Sequence, residues 1–271
     1  FIVLKDGKIV IEKYFGTFTQ DSVWYWASAG KSLTAFMVGI AQQEGKLKLS
    51  DTSSKYLGKG WTSLTQAQES KITIRHQLTM TTGLNDQVAD PYCTLPSCMV
   101  YKADAGTRWA YHNAPYTMLD PVLEAATGQK LNTYISQKLT VKTGISGLFI
   151  KQDYNNIFFS KPRNMARYGL LILNKGSWNG TSILTDTAYF RQMVNSSQNL
   201  NPAYGYLWWL NGKSNFMVPG FHFVFQGSLN PSAPKDMFAA LGKNGQILNI
   251  VPSQNLIYVR MGNISTTSEV P

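Results

Sequence analysis

The sequence predicts an α+β fold: an antiparallel sheet built from both chain ends, flanked by helices, with a mostly α-helical insert lobe and a cleft where the two meet. Three observations predict it. Residues 1–5 and 8–15 are apolar-rich runs joined by Asp6-Gly7, a pair that tolerates positive φ at both positions and so closes a tight hairpin. From Tyr204 onward the chain consists of short runs rich in aromatic and β-branched residues, at 204–210, 237–241, 246–251 and 256–261. Between these ends, from about residue 50 to about residue 200, helical patterns alternate with polar loops. The expected organisation is a single domain over 1–271, with an α/β lobe from about 1–50 and 200–271 and an α-rich lobe from about 51–199.

The opening hairpin leads to residues 29–44, which are helix formers, apolar nearly all round and followed by Gly45 as a C-terminal stop. A helix without a polar face is buried on most sides. Further helices are expected over 73–81, over 114–127 before Gly128, over 162–175 before Gly176, and over 185–194. Asn113 is the natural N-cap of the second of these, with Pro115 in its first turn. The run 204–209, Tyr-Gly-Tyr-Leu-Trp-Trp, reads as a strand that fills the core rather than lining a pocket, since alternate strand residues face inward.

Composition narrows the function classes. Of 271 residues 44% are hydrophobic and only 15% charged, below the usual fraction of about 25%, so disorder is excluded. The longest apolar stretch, 33–41, is interrupted by Thr34 and falls far short of the roughly 20 residues that cross a bilayer, so no membrane span is expected. Lys and Arg exceed Asp and Glu by 25 − 15 = 10, yet no run of five basic residues occurs, and no nucleic-acid partner is expected. His76, His112 and His222 are spread along the chain, which argues against a metal site, and nothing calls for a cofactor. Cys93 and Cys98, with four residues between them in a Pro-containing loop, suit a small local disulfide and two free thiols equally.

Two nucleophile and phosphate motifs fail on single residues. Gly30-Lys31-Ser32 would end a phosphate loop only if a glycine stood at Tyr25, and Ser28 would sit in a G-x-S-x-G elbow only if one stood at Trp26. Ser28 and Lys31 form a more useful pair. They lie where the chain enters the buried helix, one turn apart on one face, and the helix start supplies free N–H groups and a positive field. Burial lowers a lysine's pKa, so a neutral Lys31 can accept the Ser28 proton. Alone, S-x-x-K also describes a helix-capping serine beside a solvated lysine. Downstream, Tyr111 precedes Asn113 by two residues and points back toward a cleft, and Gly242-Lys243-Asn244-Gly245-Gln246 interrupts two strand-like runs.

In this order, S-x-x-K, Y-x-N and a late glycine-bearing strand resemble the serine β-lactamase and penicillin-binding protein superfamily. The likeness is greatest to its class C-like branch of esterases, D-aminopeptidases and nylon-oligomer hydrolases. It extends along nearly the whole chain, including Gly45 to Asp51, Ile72 to Leu78 and Thr81-Thr82-Gly83-Leu84. The resemblance implies a β-lactamase/transpeptidase-like fold and a serine hydrolase without metal or cofactor. In it Ser28 is the acylated nucleophile and Lys31 its base, while Tyr111, as phenolate or through its hydroxyl, relays a proton. Asn113 binds the substrate's acyl side, and the Ser28 N–H with one N–H of the late strand forms the oxyanion hole. For that strand either Gly242 ends the motif, the preferred register, or Lys243-Asn244-Gly245 is K-x-G.

Lys142-Thr143-Gly144 spells the family's third motif in the wrong place along the chain and reads as coincidence, and Met80 replaces a common histidine. Helices usual before the first strand and after the last are missing, so a trimmed sequence is expected. The resemblance further implies a bacterial, periplasmic or secreted protein whose signal peptide is not in this sequence, and hence a Cys93–Cys98 disulfide. It leaves three functions: hydrolysis of small esters or amides, a D,D-peptidase or β-lactamase, and a non-catalytic binding protein of the same fold. The partner is a small-molecule ester, amide or peptide.

Overall fold

A computed structural model describes residues 1–263 of the chain. Its main sheet has six antiparallel strands in the order Lys8–Glu12, Ile2–Lys5, Leu256–Arg260, Gln246–Val251, Phe238–Gly242 and Trp209–Leu210. The two ends of the chain thus meet within one sheet, Ile2 opposite Val259, as the runs at either end led us to expect. Asp6 and Gly7, at φ 51° and 77°, make the turn of the first hairpin. Period-two alternation puts Ile2, Leu4, Leu248, Ile250, Ile257 and Val259 in the core.

The helix Pro162–Leu173 packs on these strands. Its Gly169 permits the approach: a Cβ there would come within 2.8 Å of Ile257 Cγ2 and 2.9 Å of Leu248 Cδ1. Sequence order places this helix in the insert, whereas its apolar face lies on the sheet.

A smaller antiparallel sheet of Trp24–Tyr25, Asn155–Ser160 and Leu148–Gln152 packs against the turn Ala27–Gly30, which leads into the next element. That element is the helix Lys31–Gln43, buried continuously from Lys31 to Ala41 as its all-round apolar sequence requires. Gly39 lies against the ring of Tyr189, whose hydroxyl donates to Ala35 O at 2.6 Å, and Tyr168 donates to Ser32 O at 2.8 Å.

Three expectations need correction. Only Trp209–Leu210 of the run 204–210 is strand; Leu207 has φ 61° and Tyr204 bridges back to Trp209, so the segment folds on itself. Tyr204, Tyr206, Leu207, Trp208 and Trp209 are all buried, so neighbouring as well as alternate side chains find core, as a turn allows and one face of a strand does not. Asn113 is the first residue of the helix Asn113–Thr117 and His112 occupies the cap position. Ser28 does not sit in the long helix itself but in a 3₁₀ turn, Ala27–Gly30, that runs directly into it.

Cys93 and Cys98 are disulfide-bonded. Lys142 and Thr143 end a short helix, Val141–Thr143, with Gly144 left-handed after it and the Thr143 hydroxyl donating to Leu139 O, so this K-T-G triplet is a helix terminus.

Candidate active site

The 3₁₀ turn that carries Ser28 is clamped on two sides. Trp26, fully buried, donates its backbone N–H to Phe158 O at 2.8 Å and its indole N–H to Ser160 Oγ at 2.8 Å. Ala27 is held at φ 48°, a strained conformation for a residue with a side chain, immediately before Ser28. On the far side Gly242, the last residue of the strand Phe238–Gly242, lies so close that a Cβ would stand 2.3 Å from Trp26 O and 3.1 Å from Ala29 N. The strand edge and the start of the buried helix are therefore held in contact across Ser28.

Lys31 lies beneath Ser28, 5% exposed, with Nζ donating to Ser28 Oγ at 3.0 Å. Its ammonium stands 4.3 Å from the ring centre of Tyr116 and 5.3 Å from that of Tyr111. Burial brings its pKa down to about 7, with the negative charge of Asp120 pulling the other way. Near neutral pH the lysine is thus populated as a free amine, which a solvated lysine is not.

Tyr111 reaches the same point from the insert. Ala110 N–H donates to Met80 O at 3.0 Å, and Met80 itself is in the left-handed region at φ 58°, so a turn after the helix Ile74–Leu78 fixes the segment before Tyr111. The Tyr111 ring stacks on Trp209 at 5.6 Å and meets Tyr204 edge-on at 6.2 Å. Burial pushes its phenol well above the ordinary range, with the Ser28 hydroxyl opposing, so at neutral pH it is a hydroxyl and not a phenolate.

Ser28, Tyr111, Asn113, Gly242 and Lys243 line one cleft of about 570 Å³. Lys243 begins a turn, Lys243–Gly245, in which Asn244 is left-handed and donates to Tyr25 Oη at 2.7 Å. Gln246 is fully buried, with its side chain bonded to Gly262.

Several other residues of the cleft wall were not legible as site residues: Asp86, Tyr92, Pro219 and Leu229. The Asp86 side chain is 7% exposed and pairs with Arg108 at 2.6 Å and His222 at 3.2 Å. That pairing joins three distant segments, so spacing held no trace of it. Tyr92 had one usable signal, its place beside Cys93 in a cross-linked loop. Trp209, expected as core, has one face on Tyr111 and also lines the cleft. Among the described residues no group of three His, Cys, Asp or Glu is placed to hold a metal ion, and no helix is long and apolar enough to cross a membrane.

Comparison with known proteins extends this picture. The sequence profile of the Beta-lactamase family matches residues 1–270. An uncharacterised protein of Alkalihalophilus pseudofirmus is 25% identical over 96% of this chain and 82% of its own length. Among solved structures, a Bacillus anthracis protein provisionally assigned as a 6-aminohexanoate-dimer hydrolase superposes with a TM-score of 0.74 at 19% identity, over 96% of this chain and 72% of its own. The penicillin binding protein of Bacillus halodurans superposes at 0.66 with 14% identity, over 94% and 89%, and an octameric penicillin-binding protein homologue from Pyrococcus abyssi at 0.67 with 17%, over 94% and 67%.

Proposed function

Because this chain belongs to the beta-lactamase family, we propose that it is a serine hydrolase that acts on small esters or amides through an acyl-enzyme at Ser28. The observation that carries the reading is the 3.0 Å contact between Lys31 Nζ and Ser28 Oγ inside an apolar shell that brings the lysine to about pKa 7. A neutral Lys31 takes the Ser28 proton as Oγ attacks the substrate carbonyl. The oxyanion is received by the N–H groups of Ser28 and Lys243, which flank the point where Gly242 abuts the nucleophile turn. As the ester or amide bond breaks, Lys31 returns its proton to the leaving group through the Tyr111 hydroxyl. Water then attacks the acyl carbon, the Oγ–C bond breaks, and Ser28 regains its proton. Asn113, on the cleft wall, holds the acyl side.

The choice of ester or amide over lactam rests on the late strand, where Ala240 and Leu241 offer neither charge nor hydroxyl to a substrate carboxylate. A D,D-peptidase or β-lactamase is the second reading, favoured by Lys243 in the cleft wall. The disulfide suits the oxidising compartment of an exported bacterial protein.

Labelling with a fluorophosphonate, followed by peptide mapping, tests the proposal. We expect the adduct on Ser28, none in Ser28→Ala, and a kcat/KM for short p-nitrophenyl esters above that for a cephalosporin. Folded protein that is not labelled would favour a binding protein of this fold, and the reverse substrate order would favour the second reading.

A further inference from the structure

Lys31 is surrounded by few groups able to compensate its charge. Ser28 faces it from the preceding turn, and Tyr111 and Tyr116 face it through their rings from the other lobe. Among the described residues, the negative group that acts on it is Asp120. Asp120 lies in the first turn of the helix Leu119–Thr127, which packs on the Lys31–Gln43 helix, and one turn beyond Tyr116.

The carboxylate is unusual for its setting. Asp120 is 7% exposed; Oδ2 accepts from Asn156 Nδ2 at 2.8 Å, whereas Oδ1 is buried with no hydrogen-bond partner among the described residues. Glu124, one turn on, is engaged elsewhere, accepting from Leu131 N–H and Lys130. A buried acceptor with a free oxygen is costly and calls for a reason. An uncompensated buried cation is costly as well, and one forms each time Lys31 takes a proton.

We propose that Asp120 is a positioning residue for the reaction: its half-satisfied carboxylate is held by Asn156 as the buried counter-charge of Lys31, stabilising the ammonium that forms when Ser28 is acylated. The inference rests on the Ser28–Lys31 reading given above. Burial raises Asp120 to about 7, with the Asn156 hydrogen bond and the Lys31 charge opposing, so near neutral pH the carboxyl is populated in its charged form. Asp120 also borders a second cavity of about 540 Å³ that has no lining residue in common with the catalytic cleft. Its proton can therefore exchange with solvent while an acyl group fills that cleft.

The sign of the effect follows. A carboxylate beside Lys31 makes it a stronger base; replaced by a neutral amide, Lys31 becomes a weaker base that is free at lower pH. The test is the pH profile of fluorophosphonate labelling at Ser28 in wild type, Asp120→Asn and Asp120→Glu. We expect the rising limb of Asp120→Asn to move about one pH unit to the acid side while its plateau falls by roughly threefold to tenfold, so that the curves cross, as a general base of lowered pKa requires. Asp120→Glu, which keeps the charge, should stay near the wild-type limb. If Asp120→Asn does not fold, Asn156→Ala replaces it; loss of that hydrogen bond favours neutral Asp120 and should move the limb the same way by less.

A limb that stays in place under a uniformly lower rate would mark Asp120 as merely structural and overturn the inference. In that case wild-type labelling at Ser28 would leave the functional reading intact. Wild type that is not labelled at Ser28 would remove both.

Discussion

The chemistry proposed for this protein depends on burial changing what ordinary side chains are. Lys31 and Tyr111 are shifted in opposite directions by the same desolvation, because each is pushed toward its neutral form. The result is an amine that accepts a proton near pH 7 and a phenol that keeps its own. Labelling of Ser28 should accordingly rise with pH through about 7, since below that value Lys31 is an ammonium with no free pair. Tyr111→Phe removes only the hydroxyl and keeps the ring that stacks on Trp209, so folding should survive. We expect ester turnover to fall about 10²-fold or more, the usual scale of acid–base assistance. An unchanged kcat would move the proton relay to another group.

At the scale of elements, the site is a junction between a strand end and a helix start. No side chain fits between Gly242 and the carbonyl of Trp26, so Gly242→Ala must push the strand away from the turn that presents Ser28. A displacement of about 1 Å in a reacting constellation costs on the order of 10² in rate, and we expect that loss in kcat/KM for an ester, with a small change in Tm. Full activity in Gly242→Ala would show that the strand edge takes no part in binding the oxyanion. The Tyr111 segment is held by different means, a left-handed turn at Met80 and an aromatic stack. The Gly242 strand end and the Tyr111 segment reach Ser28 through independent supports.

For the molecule as a whole, the sheet edge is tied to the helix that covers it. Arg163 grips Glu12 with two bonds, Nε to Oε1 at 2.8 Å and Nη2 to Oε2 at 2.7 Å. The guanidinium holds the Glu12 carboxyl down at about 2 against an ordinary 4.5. A depressed carboxyl contributes stability that is complete above about 4.5 and is lost as pH falls toward about 2. Arg163 is half exposed, so solvent screening keeps the contribution small. Thermal unfolding of Glu12→Gln should show a lower Tm than wild type near neutral pH, with the difference closing as pH falls from about 4.5 to about 2. A difference that persists unchanged to the acid end would mean that the pair contributes through packing and not through charge.

How much was legible in the sequence follows the range of the interactions. The opening hairpin, the all-buried helix and its stop at Gly45 rest on contacts within a few residues, so local pattern determined them; the strand character of each chain end was legible in the same way, although the pairing of Ile2 with Val259 is long-range. The pair Ser28 and Lys31 was legible because one helical turn relates them, and Tyr111 and Asn113 because ordered resemblance to a family supplied what spacing could not. Tertiary structure alone decided the rest. It turned the run 204–210 into a buried aromatic fold, because side chains in contact on every side override alternation. It brought Gly242, and not Gly245, against Trp26 O beside Ser28, an approach between segments far apart along the chain. It placed Asp86 and Asp120 where they are, since a buried carboxylate is recognised by what surrounds it, and its neighbours come from segments far apart along the chain.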